Sequence, residues 1–293
     1  MTRHPLFGLL LAAFGALILT PDTLFMRLSG MDGFAMLGWR GLLTGLVLIV
    51  SWPLTTGLIM GRRPGALASL WQPAALGVII GHATNTTLFA LGVAVAPVAI
   101  VLLSVATIPI FAAIFGRLLL GERTSGATWV TMALVLSGIA IAVLGHDAAG
   151  QGGNALLGVA AGLGVAIVMS LNFVIIRQAH DLPIQPTMGM GSLLAGLIGL
   201  SVTGGPGMME GQVWAIAVVG LVILPLSFLS LSVATRHTSA TNVSLLMLLE
   251  TVLGPVWVWI GVHEPMTPAM ILGGALVVVS LAVYIILEGR RAR

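Results

Sequence analysis

The 293 residues include no cysteine and no lysine, tyrosine occurs once, and Asp, Glu and Arg together make up only 7% of the chain. Absence of cysteine excludes disulfides, thioether haem attachment and thiol catalysis, and leaves the redox compartment open. Scarcity of charge excludes more. Soluble domains carry about 25% charged residues, whereas this chain is 58% hydrophobic with a mean hydropathy of +1.12. Such a surface does not stay in water, which excludes a cytosolic enzyme. With about 20 apolar residues needed per crossing, spans use up the chain and leave no room for a soluble domain. The net charge of +3 comes from twelve arginines against nine acids. Those arginines are dispersed and share no face, so no nucleic-acid partner is expected.

Ionised groups are expensive in hydrocarbon, so charge-free intervals locate the spans. Residues 64–116 contain no Asp, Glu or Arg and make two helices joined near Ala96-Pro97. Single crossings are expected over 124–146, 148–176, 182–209, 211–235 and 265–287. Runs from Pro5 to about Leu24, Phe34 to about Thr55 (holding Arg40) and Ser239 to Val262 (holding Glu250) bring the expected total to ten. Strand alternation is absent, so a β-barrel is not expected. Leu6–Leu19 resembles the apolar part of a signal peptide, but Thr20-Pro21-Asp22 is no small-x-small cleavage site, so it is read as a helix. With the N-terminus in the cytoplasm, ten arginines fall on the inner side (3, 62, 63, 117, 123, 177, 236, 290, 291 and 293) and only Arg27 on the outer. That asymmetry puts both termini inside.

Ten spans divide into residues 1–146 and 155–293, with the glycine-rich stretch 147–154 (Gly150, Gly152, Gly153) as the linker. Five spans per half invert the second half relative to the first, the arrangement that lets one site open to either side of a membrane. The halves echo each other. Pro109 to Glu122 reads PIFAAIFGRLLLGE, and Thr251 to Glu264 reads TVLGPVWVWIGVHE, at a constant offset of 142 positions. On these segments, on Leu-Leu-Glu250 and on Trp39-Arg40, the chain resembles the EamA-type ten-helix exporters of the drug/metabolite transporter superfamily over essentially its whole length. The resemblance implies an all-α polytopic membrane protein, two inverted five-helix repeats around a central cavity, and export of metabolites, often amino acids. Two positions depart from that pattern. Thr251 stands where a proline is usual, and His263 where a glycine is usual, which bears on the bend of the ninth helix.

Several polar residues inside spans are candidates for substrate contact. Glu250, near the middle of its span, is read as partner of a substrate amine or as a protonation site, against an internal ion pair. Arg40 offers a planar fork for a substrate carboxylate or phosphate, but an ion pair with Asp22 or Glu250 is the favoured reading. His82 and Asn85, three residues apart, share a helix face and are expected to line the cavity. Asn172 and Ser244, with Ser170 and Asn242, are small polar residues that line a cavity or bond helices together. Trp39 adjoins Arg40 and is expected to be a cavity aromatic. Of Trp257 and Trp259, on different faces, one is expected to stack on substrate and the other to meet lipid. Gly77-x-x-x-Gly81 and Gly158-x-x-x-Gly162 are read as packing motifs. No metal-ligand spacing and no cofactor motif is present.

The expected activity is secondary export of small metabolites, foremost neutral or aromatic amino acids, across the inner membrane, with proton coupling left open. The alternative is an intramembrane lipid-modifying enzyme. It would need an acid/base or nucleophile cluster, and no Asp-x-x-Asp, His-x4-Asp or Gly-x-Ser-x-Gly arrangement occurs.

Overall fold

In lipid a backbone must satisfy its own hydrogen bonds, which leaves helices or closed barrels. The computed structural model describes residues 5–54, 70–121, 126–148, 153–179, 181–238, 243–244 and 246–291, and these form helices without a strand. Arg3, Arg62, Arg63, Glu122, Arg123, Gly150, Gly152, Asn242 and Arg293 lie outside the described residues.

The spans are numbered here in chain order. Span 1 is two helices, Pro5–Leu19 and Asp22–Ser29; span 2 is Gly33–Leu54 and span 3 is Pro73–Val95. Span 4 is Val98–Val105 with Ile108–Leu120, span 5 is Gly126–Ala148, span 6 is Ala155–Gln178 and span 7 is Ile184–Gly207. Span 8 joins Val213–Val218 to Leu224–Ala234 through a π-turn at Val219–Ile223; span 9 includes Leu248–Val262, and span 10 is Pro268–Arg291. Seven of these are long and apolar enough to cross a bilayer, and Ala133–Gly145, Leu248–Val262 and Pro268–Ser280 are shorter apolar helices. The protein is thus an all-helical, multi-pass membrane protein. The first span corrects the sequence reading. It runs to Ser29 rather than ending near Leu24, because Pro21 breaks the helix and a second piece continues beyond it.

The pairing of spans is symmetric. Span 2 lies along span 7, span 5 along 10, span 3 along 6 and span 1 along 8; span 4 meets 6 and 9, and span 9 meets 1. Renumbering each span as its counterpart in the other half turns this set into itself. Pairs 2–7, 4–9 and 5–10 map onto themselves, 3–6 exchanges with 8–1, and 4–6 exchanges with 9–1. Two repeats of five related by a pseudo-twofold axis produce that invariance.

Small residues set the closest approaches. A Cβ on Gly41 would strike the backbone of Gly196, one on Gly199 the backbone of Gly38, and one on Gly273 the carbonyl of Gly138. Lipid supplies no hydrophobic force between helices, so association relies on this kind of fit. The two packing motifs read from the sequence serve it: Gly81 abuts Asn172, Gly158 abuts Ala96 and Gly162 abuts Ser104.

The bend of span 9 survives its two departures. Glu250 N–H donates to Met247 O at 3.0 Å, as Ile110 N–H donates to Thr107 O at 2.9 Å in span 4. Both are three-residue turns. At the far end Gly121 ends span 4 with φ 71° and His263 ends span 9 with φ 55°. The left-handed conformation costs an L-residue about 1–2 kcal/mol, less about 0.5–1 kcal/mol of extra unfolded-chain entropy that a glycine brings. His263→Gly is therefore expected to stabilise the protein by about 0.5–1 kcal/mol, read as a raised Tm in detergent; a lowered Tm would show that the imidazole makes contacts worth more than the strain.

Candidate functional site

Three helix breaks converge at the centre of the bundle. Span 1 breaks at Thr20-Pro21, where Thr20 Oγ1 donates to Leu17 O at 2.9 Å. Span 4 breaks at Ala106-Thr107, ahead of Pro109, with Thr107 Oγ1 donating to Ser104 O at 2.7 Å. Span 9 breaks at Met247. Leu19 and Asp22, Val105, and Met247 and Glu250 flank these breaks, and all five border one enclosed cavity together with Arg40, Asn85 and Phe89. Irregular backbone at membrane depth is tolerated where it lines such a cavity. Its volume is about 20 Å³, room for about one water. Both halves contribute to its wall.

Three ionisable side chains meet here. Arg40 Nη1 donates to Asp22 Oδ1 at 2.7 Å and Oδ2 at 2.9 Å, with both side chains 2% exposed. Arg40 Cζ sits 5.3 Å from the centroid of the Phe89 ring, and its Nε has no hydrogen-bond partner among the described residues. The Glu250 carboxyl, on a residue 4% exposed, is in electrostatic range of both Asp22 and Arg40, and forms no ion pair among the described residues. Two carboxyls thus face one guanidinium. Asn85 Oδ1 and Thr86 Oγ1 are also buried without partners among the described residues.

A second small void of about 10 Å³ adjoins the first, sharing Asn85, Met169 and Phe228 with it, and adds His82, Asn172 and Ser232. His82 Nε2 lies 3.0 Å from Ser192 Oγ, and the imidazole meets the Phe228 ring edge-on at 5.0 Å. Toward the face opposite the termini the bundle is strapped shut. Arg27 Nε lies 2.7 Å from Glu264 Oε2, Arg27 Nη2 donates to Ala96 O at 2.8 Å, and Val98 N–H donates to Glu264 Oε1 at 2.8 Å.

Of the residues singled out from the sequence, Glu250, Arg40, Asn85, His82 and Asn172 come together around these two voids. Three do not. Trp39 lies outside both voids, its Nε1 donating to Met208 O at 2.6 Å, which ties span 2 to the end of span 7. Trp257 is 41% exposed, and its Nε1 donates to Thr20 Oγ1 at 3.2 Å from outside the break in span 1. Ser244 is buried but borders neither void. The ion pair favoured for Arg40 is the one with Asp22; the sequence reading named Asp22 only as that partner and not as a cavity residue, and it did not single out Phe228 and Met169.

The sequence profile of the EamA-like transporter family matches residues 6–144 and, separately, 156–286. The chain belongs to that family. Its two matches take in spans 1–5 and spans 6–10, so the transporter is a multi-pass membrane protein that moves small molecules. A solved crystal structure of a protein 22% identical in sequence superposes with a TM-score of 0.69 over 97% of each chain, a likeness of fold alone. No curated protein matches the chain.

Proposed function

We propose that this transporter is a secondary exporter that moves neutral or aromatic amino acids out across the inner membrane by alternating access, with both termini in the cytoplasm. Residues 1–146 and 155–293 act as the two moving halves, joined by 147–154. The observation that carries the reading is the excess carboxyl. Asp22 and Glu250 face a single Arg40 in a cavity with room for about one water, where an unpaired carboxylate costs several kcal/mol. A proton on Glu250 removes that cost. So does a substrate ammonium, and the two cannot bind at once. Competition for one carboxyl couples an outgoing amine to an incoming proton. The free donor at Arg40 Nε and the amide of Asn85 suit a substrate carboxylate, while Phe89, Phe228 and Met169 suit an apolar side chain. The opposed halves then expose the site to one side at a time.

Counterflow in proteoliposomes, against a panel of amino acids with and without a pH gradient, tests this. Wild-type efflux of a neutral or aromatic amino acid is expected to accelerate when the opposite side is acid. Glu250→Gln is expected to fold, to transport slowly and to ignore the gradient. Unchanged flux and unchanged pH response in that variant would make the carboxyl idle and overturn the coupling; a flat response across the whole amino-acid panel would overturn the substrate class.

A further inference from the structure

Span 10 leans on span 5, where Gly138 faces Gly273 and Gly145 faces Ala269, and lies less closely against spans 4 and 9. The gap it leaves is an apolar trough of about 280 Å³. Three stripes at i, i+4 spacing form its walls: Ala99 and Leu103 of span 4, Thr251 and Pro255 of span 9, and Met270, Gly274 and Val278 of span 10. Ile271 and Val252, 56% and 44% exposed, stand at its open rim toward the hydrocarbon. From Met270 to Val278 the trough descends about 12 Å at 1.5 Å per residue, against roughly 15 Å of hydrocarbon in one leaflet.

At its upper end the trough does not stop. A neck of about 10 Å³ shares Ala99, Pro255 and Met270 with the trough, and Pro97 and Glu264 with a vestibule of about 440 Å³ on the face opposite the termini. Arg27 and Glu264 are the charged groups on its wall, with side chains 24% and 22% exposed. Neither is saturated. A guanidinium has five N–H donors and a carboxylate about four acceptor sites, and the strap to Ala96 and Val98 uses only part of each. None of the residues bordering vestibule, neck or trough borders the central cavity.

A charged chamber at headgroup level, continuous with an apolar channel along a helix, has the shape of a single bound lipid. We propose that this groove holds a zwitterionic phospholipid with a primary-amine headgroup, its phosphate on Arg27, its ammonium on Glu264 and one acyl chain against Gly274. The opposite charges of the pair match the opposite charges of the headgroup. A choline headgroup has no N–H to donate, and a glycerol headgroup leaves Glu264 facing an anion.

Lipid retention by the purified full-length protein in detergent tests this apart from any transport assay. Dioleoyl phosphatidylethanolamine, phosphatidylcholine and phosphatidylglycerol are titrated in turn, with bound lipid counted by native mass spectrometry and Tm followed in parallel. One equivalent of the ethanolamine lipid is expected to bind about tenfold more tightly than either of the others, the worth of one charge-assisted hydrogen bond. Glu264→Gln is expected to bring the three lipids within about twofold of one another. Gly274→Leu, whose Cβ meets Leu103 across the trough in ordinary contact, is expected to abolish retention of all three. Val278→Trp obstructs the trough from a second position should the leucine variant fail to fold. Equal affinity for the three lipids in the wild type, or full retention by a folded trough variant, overturns the proposal.

Discussion

Asp22→Leu combined with Glu250→Gln is expected to destabilise the protein by about 3–5 kcal/mol, because Arg40 then stays buried with no carboxylate to face. Asp22→Leu alone is expected to cost less. Glu250, in electrostatic range of the guanidinium, is free to take over as its counter-ion, so the spare carboxyl buffers loss of the first. Adding Arg40→Met to the double variant removes the stranded charge and is expected to recover most of the stability, since buried ion pairs are commonly replaceable by apolar groups of similar size at little cost. That triple variant should be folded and unable to transport. Thermal unfolding of the four proteins in one detergent gives the comparison. Should the double variant melt with the wild type, the guanidinium reaches bulk water or another partner, and the buried three-charge centre described above is wrong.

That centre also marks how far the sequence could be read. Composition and charge-free intervals located the ten crossings, because each interval is a direct consequence of the cost of charge in hydrocarbon. Internal echo at offset 142 pointed to paired halves, and the main span pairings are invariant under their exchange. Glu250, Arg40, Asn85, His82 and Asn172 were legible because a polar residue inside an apolar run needs a reason. Asp22 was legible as a partner of Arg40 but not as a wall of the cavity, since Thr20-Pro21-Asp22 reads equally as the mouth of a helix and as a break within one; only the continuation to Ser29 decides. Trp39 and Trp257 were misplaced for a different cause. Trp39 adjoins Arg40 in sequence and therefore points to a different face of the helix, and the indole N–H of each tryptophan has a partner on another span that spacing cannot reveal. The trough beside span 10 was wholly illegible. It depends on which neighbour that helix leans against, and small residues on several spans are equally good invitations.

The largest loss from a single substitution is expected at the interface of spans 2 and 7, from Gly41→Leu or Gly196→Leu. Gly38, Gly41 and Gly45 recur at three- and four-residue intervals on one side of span 2, and Gly189, Gly196 and Gly199 at seven- and three-residue intervals on span 7. Spacing of that kind puts each set on one face, and the backbones meet so closely that a Cβ at Gly41 would overlap Gly196. What lies opposite is main chain, which has no rotamer to change. The helices must separate. Overpacking ordinarily costs about 1–3 kcal/mol because neighbours shift; against rigid backbone, and with a leucine rather than a methyl, at least about 3 kcal/mol is expected. Separation would also pull Arg40, one residue from Gly41, away from Asp22 on span 1, and stretch the bond from Trp39 to Met208. Transport and stability should therefore fail together. Gly205→Leu is the control, since nothing lies within 4 Å of a Cβ there, and a shift within about 0.5 kcal/mol is expected. Retention of wild-type Tm by the Gly41 variant would mean that spans 2 and 7 are not in backbone contact, and that the halves are held together some other way.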